Sequence, residues 1–267
     1  MGIPFMETSA AAVAPPQSVK RFRAARRRVM PAMGTPGYMK QLIKRIPVVG
    51  ELARRAHSYL ASFREPSEPF PGSAQYWERR YAAGGDSGPG SYSKMAAFKA
   101  EILNAFVHDH SVRSVVEFGC GDGEQLSLAE YPNYAGLDIS DTTIAKCRER
   151  FAADPTKTFS MVTDYKGEKA DLALSLDVIC HLVENAAFET YMRTLFGAST
   201  RYVIIYSSDT TKNRHRQAKH VRHRRFSRWV GRNAPGWRLI QHIPNRYPFN
   251  GDYMTSSFAS FFIYEKV

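Results

Sequence analysis

The stretch Val115-Val116-Glu117-Phe118-Gly119-Cys120-Gly121-Asp122-Gly123 decides the fold. It reads as a buried strand running into a glycine-rich turn, with a helix expected from about Glu124. Glycines at 119, 121 and 123 permit positive φ and let the backbone approach a ligand closely. In an open α/β sheet such a turn lies at the carboxyl end of the first strand, at the switch point where ligands bind. A dinucleotide fingerprint, G-x-G-x-x-G, would place its third glycine at 124, where this chain has Glu124. It would also set a pyrophosphate on a helix N-terminus beside Asp122 and Glu124, whose charges repel it. Acids around this loop suit a cationic ligand instead.

Working outward, apolar runs alternate with helical stretches. Strands are expected at 114–118, 134–140, 157–163, 170–179 and 201–208, and helices at 94–108, 141–152 and 186–196. That alternation implies a parallel sheet with helices on both faces. Two further strands, 237–243 and 256–267, have no long helix between them and form an antiparallel hairpin at the sheet edge. The fold class is therefore α/β, a doubly wound, mostly parallel seven-stranded sheet with an antiparallel C-terminal hairpin and a basic helical N-terminal extension.

Asp138 ends the second strand, where a carboxylate can accept both hydroxyls of a ribose. Asp164 follows the third strand in Thr163-Asp164-Tyr165, placed for an adenine amino group. The E-x-G-x-G-x-G loop and these two strand-end acids together resemble the class I methyltransferases that use S-adenosylmethionine, over roughly residues 75–267. The cationic sulfonium and α-ammonium of that cofactor agree with the acids around the loop. The resemblance implies a Rossmann-like fold and methyl transfer. It implies that Glu117, Gly119, Cys120, Gly121 and Gly123 line the methionine part, that Asp138 and Ile139 hold the ribose, and that Asp164 and Tyr165 serve the adenine. Upstream, Tyr76-Trp77-Glu78-Arg79-Arg80-Tyr81 and the Gly/Ser loop that follows are similar to a segment of bacterial small-molecule methyltransferases. There an aromatic residue and such a loop cover the cofactor; Tyr92 is the candidate cover here. Trp77 and Tyr81 either join it or pack on the sheet.

Methyl transfer requires an aligned acceptor and, for a hydroxyl, a base. The fourth strand ends in Ser175-Leu176-Asp177-Val178-Ile179-Cys180-His181. No N/D-P-P-Y/F motif appears, which disfavours methylation of an exocyclic amine of adenine or of glutamine. No cysteine pair suits pyrimidine C5 chemistry. Asp177 and His181 lie just past the strand, where His181 acts as a general base or else caps a helix from Leu182. After the fifth strand, Lys212–Arg232 holds nine Lys/Arg, three His and no acid. It reads either as a solvated face or as an acceptor-site lid. In the second reading His220, Arg222 and Arg224 touch an anionic or polyhydroxyl acceptor, and His220 and His223 are alternative bases. Asp177 with His181 or His223 also offers part of a site for a divalent ion such as magnesium. The same segments are similar to bacterial methyltransferases of glycan or secondary-metabolite assembly. That similarity implies O-methylation of a saccharide or other small polyhydroxylated acceptor.

At 267 residues, 43% hydrophobic and 23% charged, the chain supports one substantial core. Its net charge of +12 is uneven: residues 1–64 carry twelve Lys/Arg against two acids, the remainder 25 against 23. The near-neutral body argues against a nucleic-acid partner. An RNA methyltransferase and a non-catalytic scaffold that binds the cofactor are the competing readings. Residues 1–37 read as a disordered basic tail, 38–73 as an amphipathic helical extension with a proline-rich linker, and 74–267 as the methyltransferase domain. The basic face of 38–63 suits an anionic membrane surface, or the helix packs its apolar stripe on the body. Three cysteines without a CxxC pair and no secretory leader point to the cytoplasm, with the inner membrane surface as a peripheral site. Met30 and Met33 are alternative translation starts.

Overall fold

The computed structural model describes residues 69–213 and 217–267; the tail and amphipathic extension expected over 1–63 lie outside the described residues. Seven strands form one sheet in the order β3-β2-β1-β4-β5-β7-β6. They are β1 (Val115–Phe118), β2 (Tyr134–Asp138), β3 (Lys157–Met161), β4 (Ala170–Leu176), β5 (Ser199–Ser207), β6 (Trp237–Ile243) and β7 (Ser260–Lys266). The first five run parallel, and β7 pairs antiparallel with both β5 and β6. Five helices accompany them among the described residues: α1 (Ser73–Ala82), α2 (Ser93–Asp109), α3 (Asp141–Arg150), α4 (Asn185–Gly197) and α5 (Phe226–Asn233).

Side chains alternate along each strand, and the alternation divides the core into two layers. Leu172 and Leu174 of β4, with Ile204 and Tyr206 of β5, face Phe98, Leu103 and Phe106 of α2 and Ile144 of α3. Their neighbours Ala173, Val203 and Ile205 face Phe188, Met192 and Leu195 of α4 and Phe226 and Trp229 of α5. The central strands β4 and β5 are apolar on both faces because both are covered. The doubly wound sheet and its antiparallel edge follow the sequence reading.

One expected element is absent. The helix expected from Glu124 is a single 3₁₀ turn, Leu126–Leu128. Ten residues separate Gly123 from Tyr134, and Pro132 interrupts them, which leaves no length for a crossover helix. The face beside β1 is covered by α2, which precedes β1 in the chain. At the other end of the expected linker, Ser73 begins α1 and is buried.

Candidate active site

A cavity opens at the carboxyl ends of β1, β2 and β4, lined by the glycine loop, α1, the loop before α2 and the segment after β4. Its cofactor side is made of backbone. Gly119 (φ 88°) and Gly121 (φ 58°) hold left-handed conformations. A Cβ on either would fall 2.4 Å from a neighbour, Val178 Cγ2 and Ser87 Oγ respectively. Across the loop, Asp138 Oδ2 accepts from Gly121 N at 2.9 Å, and Oδ1 accepts from Ile139 N and Ser140 N at 2.8 and 3.0 Å. Burial pushes its carboxyl up, against the pull of those N–H groups. Glu117 lies fully buried, and burial pushes it up to about 7 against the Tyr134 hydroxyl and the Lys99 ammonium. Tyr134 donates to Glu117 Oε2 at 2.7 Å.

The loop is clamped from above. Ser87 N donates to Asp122 Oδ2 at 2.8 Å, and Asp122 N donates back to Ser87 Oγ at 3.0 Å. The Tyr92 hydroxyl donates to the same carboxylate oxygen at 2.8 Å. Burial works against ionisation of Asp122, yet these bonds hold it below the usual carboxylate range. Ser87 and Ser91 line the cavity, as do Trp77 and Tyr81 of α1. Tyr92 does not; it fastens the loop before α2 to Asp122, and the aromatics of this region that line the cavity are Trp77 and Tyr81.

The acceptor side is assembled from distant parts of the chain. Asp177, the residue after β4, has φ +60°, a strained setting for a non-glycine residue. Its carboxylate meets the ammonium of Lys99, from α2, at 2.8 Å, and Lys99 is 1% exposed. Asp177 is thus paired with Lys99, while His181 has another partner: its Nδ1 faces the carbonyl of His220 at 3.1 Å. A carbonyl only accepts, so Nδ1 carries the proton and Nε2 keeps a lone pair. Burial holds His181 below the usual imidazole range, against the opposing pull of that carbonyl and of Asp177. Burial thus favours the neutral ring, and His181 lines the cavity. His181 caps no helix, because α4 begins only at Asn185.

Behind His181 stands a wall of rings. His220 stacks on Tyr76 of α1 at 4.3 Å between centroids, and Trp77 meets His181 edge-on at 4.9 Å. Burial, with His181 and Arg80 nearby, pushes His220 down to about 4. The start of α1 is fixed to the segment after β4, where Ser73 Oγ donates to the carbonyl of His181 at 2.6 Å. Ser73 N donates to Glu184 Oε1 at 2.8 Å, which supplies α1 with a cap from outside the helix. Tyr191 of α4 lines the same cavity, its hydroxyl donating to the carbonyl of Phe118 at 2.9 Å.

The structure brings together Glu117, Gly119, Cys120, Gly121, Asp138, Ile139, Asp177 and His181 as lining residues. Gly123, Asp164 and Tyr165 lie outside the lining. Asp164 is exposed at the end of a 3₁₀ turn whose Val162 does line it, and Tyr165 packs edge-on against Phe118. His223 also lies outside it, with Nδ1 2.6 Å from Ser208 Oγ. Arg222 donates to the carbonyl of Val183, and Arg224 to those of Leu182 and Val183 and to Asn185 Oδ1. Both therefore fasten the 220–225 strap to the chain after β4, and neither lines the cavity. Asp177 is paired with Lys99 and His223 Nδ1 with Ser208, and no group of three metal-ligating side chains occurs among the described residues. The expected divalent-ion site does not fit them. Sequence reasoning missed Lys99, Ser73, Gln125 and Tyr191. The one available signal was Lys99, a lysine on the core-facing stripe of α2 between Met95, Phe98 and Leu103.

Residues 92–248, more than half of the chain, match the family described as a methyltransferase domain. No curated protein sequence matches. The N-methyltransferase NodS from Bradyrhizobium japonicum WM9, solved with S-adenosyl-L-homocysteine, superposes with a TM-score of 0.55. It is 14% identical over 73% of this chain and 98% of that one. The methyltransferase domain of bacterial CtHen1 gives a TM-score of 0.50 at 18% identity, over 63% of this chain and 96% of that one. These likenesses concern the fold. With the glycine cradle, the strand-end Asp138 and the matched family, the chain belongs to the class I methyltransferases that use S-adenosylmethionine.

Proposed function

We propose that the enzyme methylates a hydroxyl of a saccharide or other small polyhydroxylated acceptor, with His181 as general base. The observation that carries this reading is the setting of His181: it lines the cavity, and its Nδ1 is held by the His220 carbonyl, which leaves Nε2 as the nitrogen able to take a proton. When bound, S-adenosylmethionine supplies a methyl group on an already activated sulfonium, and the electron pair of the broken C–S bond stays on sulfur. The protein then has two tasks, alignment of the acceptor and removal of its proton. Trp77, Leu182 and Tyr191 supply flat and apolar walls beside the imidazole, of the kind on which sugar rings stack. Nε2 takes the hydroxyl proton as the new oxygen–methyl bond forms, and the resulting imidazolium lies within reach of the Asp177 charge. The basic segment 38–63 would hold the enzyme at an anionic membrane surface, close to glycan assembly.

The test uses cofactor labelled on its methyl group, incubated with purified protein and a bacterial extract, with products fractionated by class. Label in sugars or glycolipids, stable to conditions that cleave esters, supports the reading. Label in RNA or on amines overturns it.

A further inference from the structure

Gln125 follows the glycine loop and lines the cavity alongside Ser91, Lys99 and Glu117. Its side chain is nine-tenths buried, and Nε2 donates to the carbonyl of Ala96 in α2 at 3.2 Å. Because that carbonyl only accepts, the orientation of the amide is fixed: the NH₂ faces Ala96 and Oε1 lies on the other side. Oε1 is buried and has no hydrogen-bond partner among the described residues. Two other buried oxygens share that state, Ser207 Oγ and Tyr264 Oη, and neither residue lines the cavity. Buried acceptors without partners are rare in folded proteins and call for a missing group.

The charges nearby say what kind of group. Lys99 is matched by Asp177 at 2.8 Å. Glu117 has the Tyr134 hydroxyl on one oxygen and, among the described residues, no cation in ion-pair contact. A partner for Gln125 Oε1 must be a donor, and in a cavity that Glu117 also lines a positive donor is favoured. The α-ammonium of S-adenosylmethionine has three N–H donors and one positive charge. We propose that Gln125 is a cofactor-positioning residue. Its Oε1 accepts from the α-ammonium, Glu117 supplies the opposing charge, and the Ala96 carbonyl keeps the amide turned the right way. This inference rests on the cofactor assignment above and adds a residue outside the glycine motif.

The test compares two ligands that differ only at the amino-acid end. S-adenosylhomocysteine carries the ammonium, and 5′-methylthioadenosine keeps the nucleoside and sulfur without it. Calorimetry on Gln125→Met, a substitution of similar length without donor or acceptor, should show S-adenosylhomocysteine weakened about 10- to 100-fold, the range for a hydrogen bond to a charged group. Binding of 5′-methylthioadenosine should stay within about twofold, since it makes no contact with the amide oxygen. Unchanged S-adenosylhomocysteine binding overturns the proposal. So does a parallel loss of both ligands, which marks a role only in tying the loop to α2. A second measurement needs no variant: the wild-type enzyme should bind deaminated S-adenosylhomocysteine at least about tenfold more weakly than the parent, and equal affinity overturns the proposal. Wild-type protein that binds neither ligand would sink the cofactor assignment itself and this inference with it.

Discussion

The two sides of the cavity are built by different means. The cofactor side is local: Glu117 through Gly123 form one continuous stretch, and Asp138 closes the next strand against Gly121 N. The acceptor side is remote. Lys99 reaches Asp177, Ser73 reaches His181 and Glu184, and His220 backs His181 from beyond β5. The first side depends on backbone conformations that only certain residues adopt; the second depends on side chains brought together by the whole fold. In the proposed function the roles divide along the same line, with cofactor recognition on the local side and acceptor chemistry on the assembled one.

The largest expected effect tests the local side. Asp138→Ala removes the carboxylate placed for the ribose and should lower cofactor affinity by about 10²- to 10⁴-fold, two charge-assisted hydrogen bonds, by calorimetry. Circular dichroism should stay native; near-native affinity would refute the role of that acid. On the assembled side, His181→Ala should keep cofactor binding and lower turnover by about 10²–10⁴. In the wild type, activity should fall as acid charges His181. Burial depresses its pKa, so that limb should lie below the ordinary imidazole value of about 6.5. A limb above that value would assign the proton to another group.

Smaller effects sharpen the comparison. Lys99→Met leaves the half-buried Asp177 without its cation and should cost about 1–3 kcal/mol in denaturant unfolding, less than for a fully buried pair because Asp177 retains some water. Adding Asp177→Asn should recover part of that loss; strictly additive losses would deny the coupling. Glu117→Gln should act in the opposite sense. The folded carboxyl titrates at about 7, above its unfolded value, so its contribution to stability is full below about pH 4.5 and lost as pH rises through 7. At pH 8 the amide should stabilise the ligand-free protein by about 1–2 kcal/mol while weakening cofactor binding. A fall in melting temperature at that pH would contradict the burial argument. The smallest effect concerns residues 1–64: their removal should leave turnover on a soluble acceptor unchanged and reduce sedimentation with anionic vesicles. Unchanged sedimentation would rule out the membrane role.

The same division decides what could be read from residues alone. Gly119 and Gly121 announce their role because a Cβ at either would strike a neighbour. Strand alternation and helix spacing carried the sheet to its antiparallel edge. The missing helix after the loop was also legible in principle, since ten residues with Pro132 among them are too few. Lys99, Ser73 and Gln125 were not, because their partners lie on other elements and no local spacing encodes such pairings. The contacts of Arg222 and Arg224 were hidden for a related reason: a basic run looks like a surface for anions, and nothing local shows that its guanidinium groups reach the carbonyls of Leu182 and Val183.

The Tyr76–His220 stack has a consequence for the order in which the enzyme comes into being. Tyr76 leaves the ribosome before the first strand, and His220 only after the fifth. At the usual pace of synthesis the interval is on the order of ten seconds. During it the glycine loop and Asp138 already have all the chain they need to meet, whereas His181 has no carbonyl to set its tautomer. The glycine loop and Asp138 can therefore meet before the tautomer of His181 is set, and the wall of rings is finished late, when the strap after β5 packs onto α1.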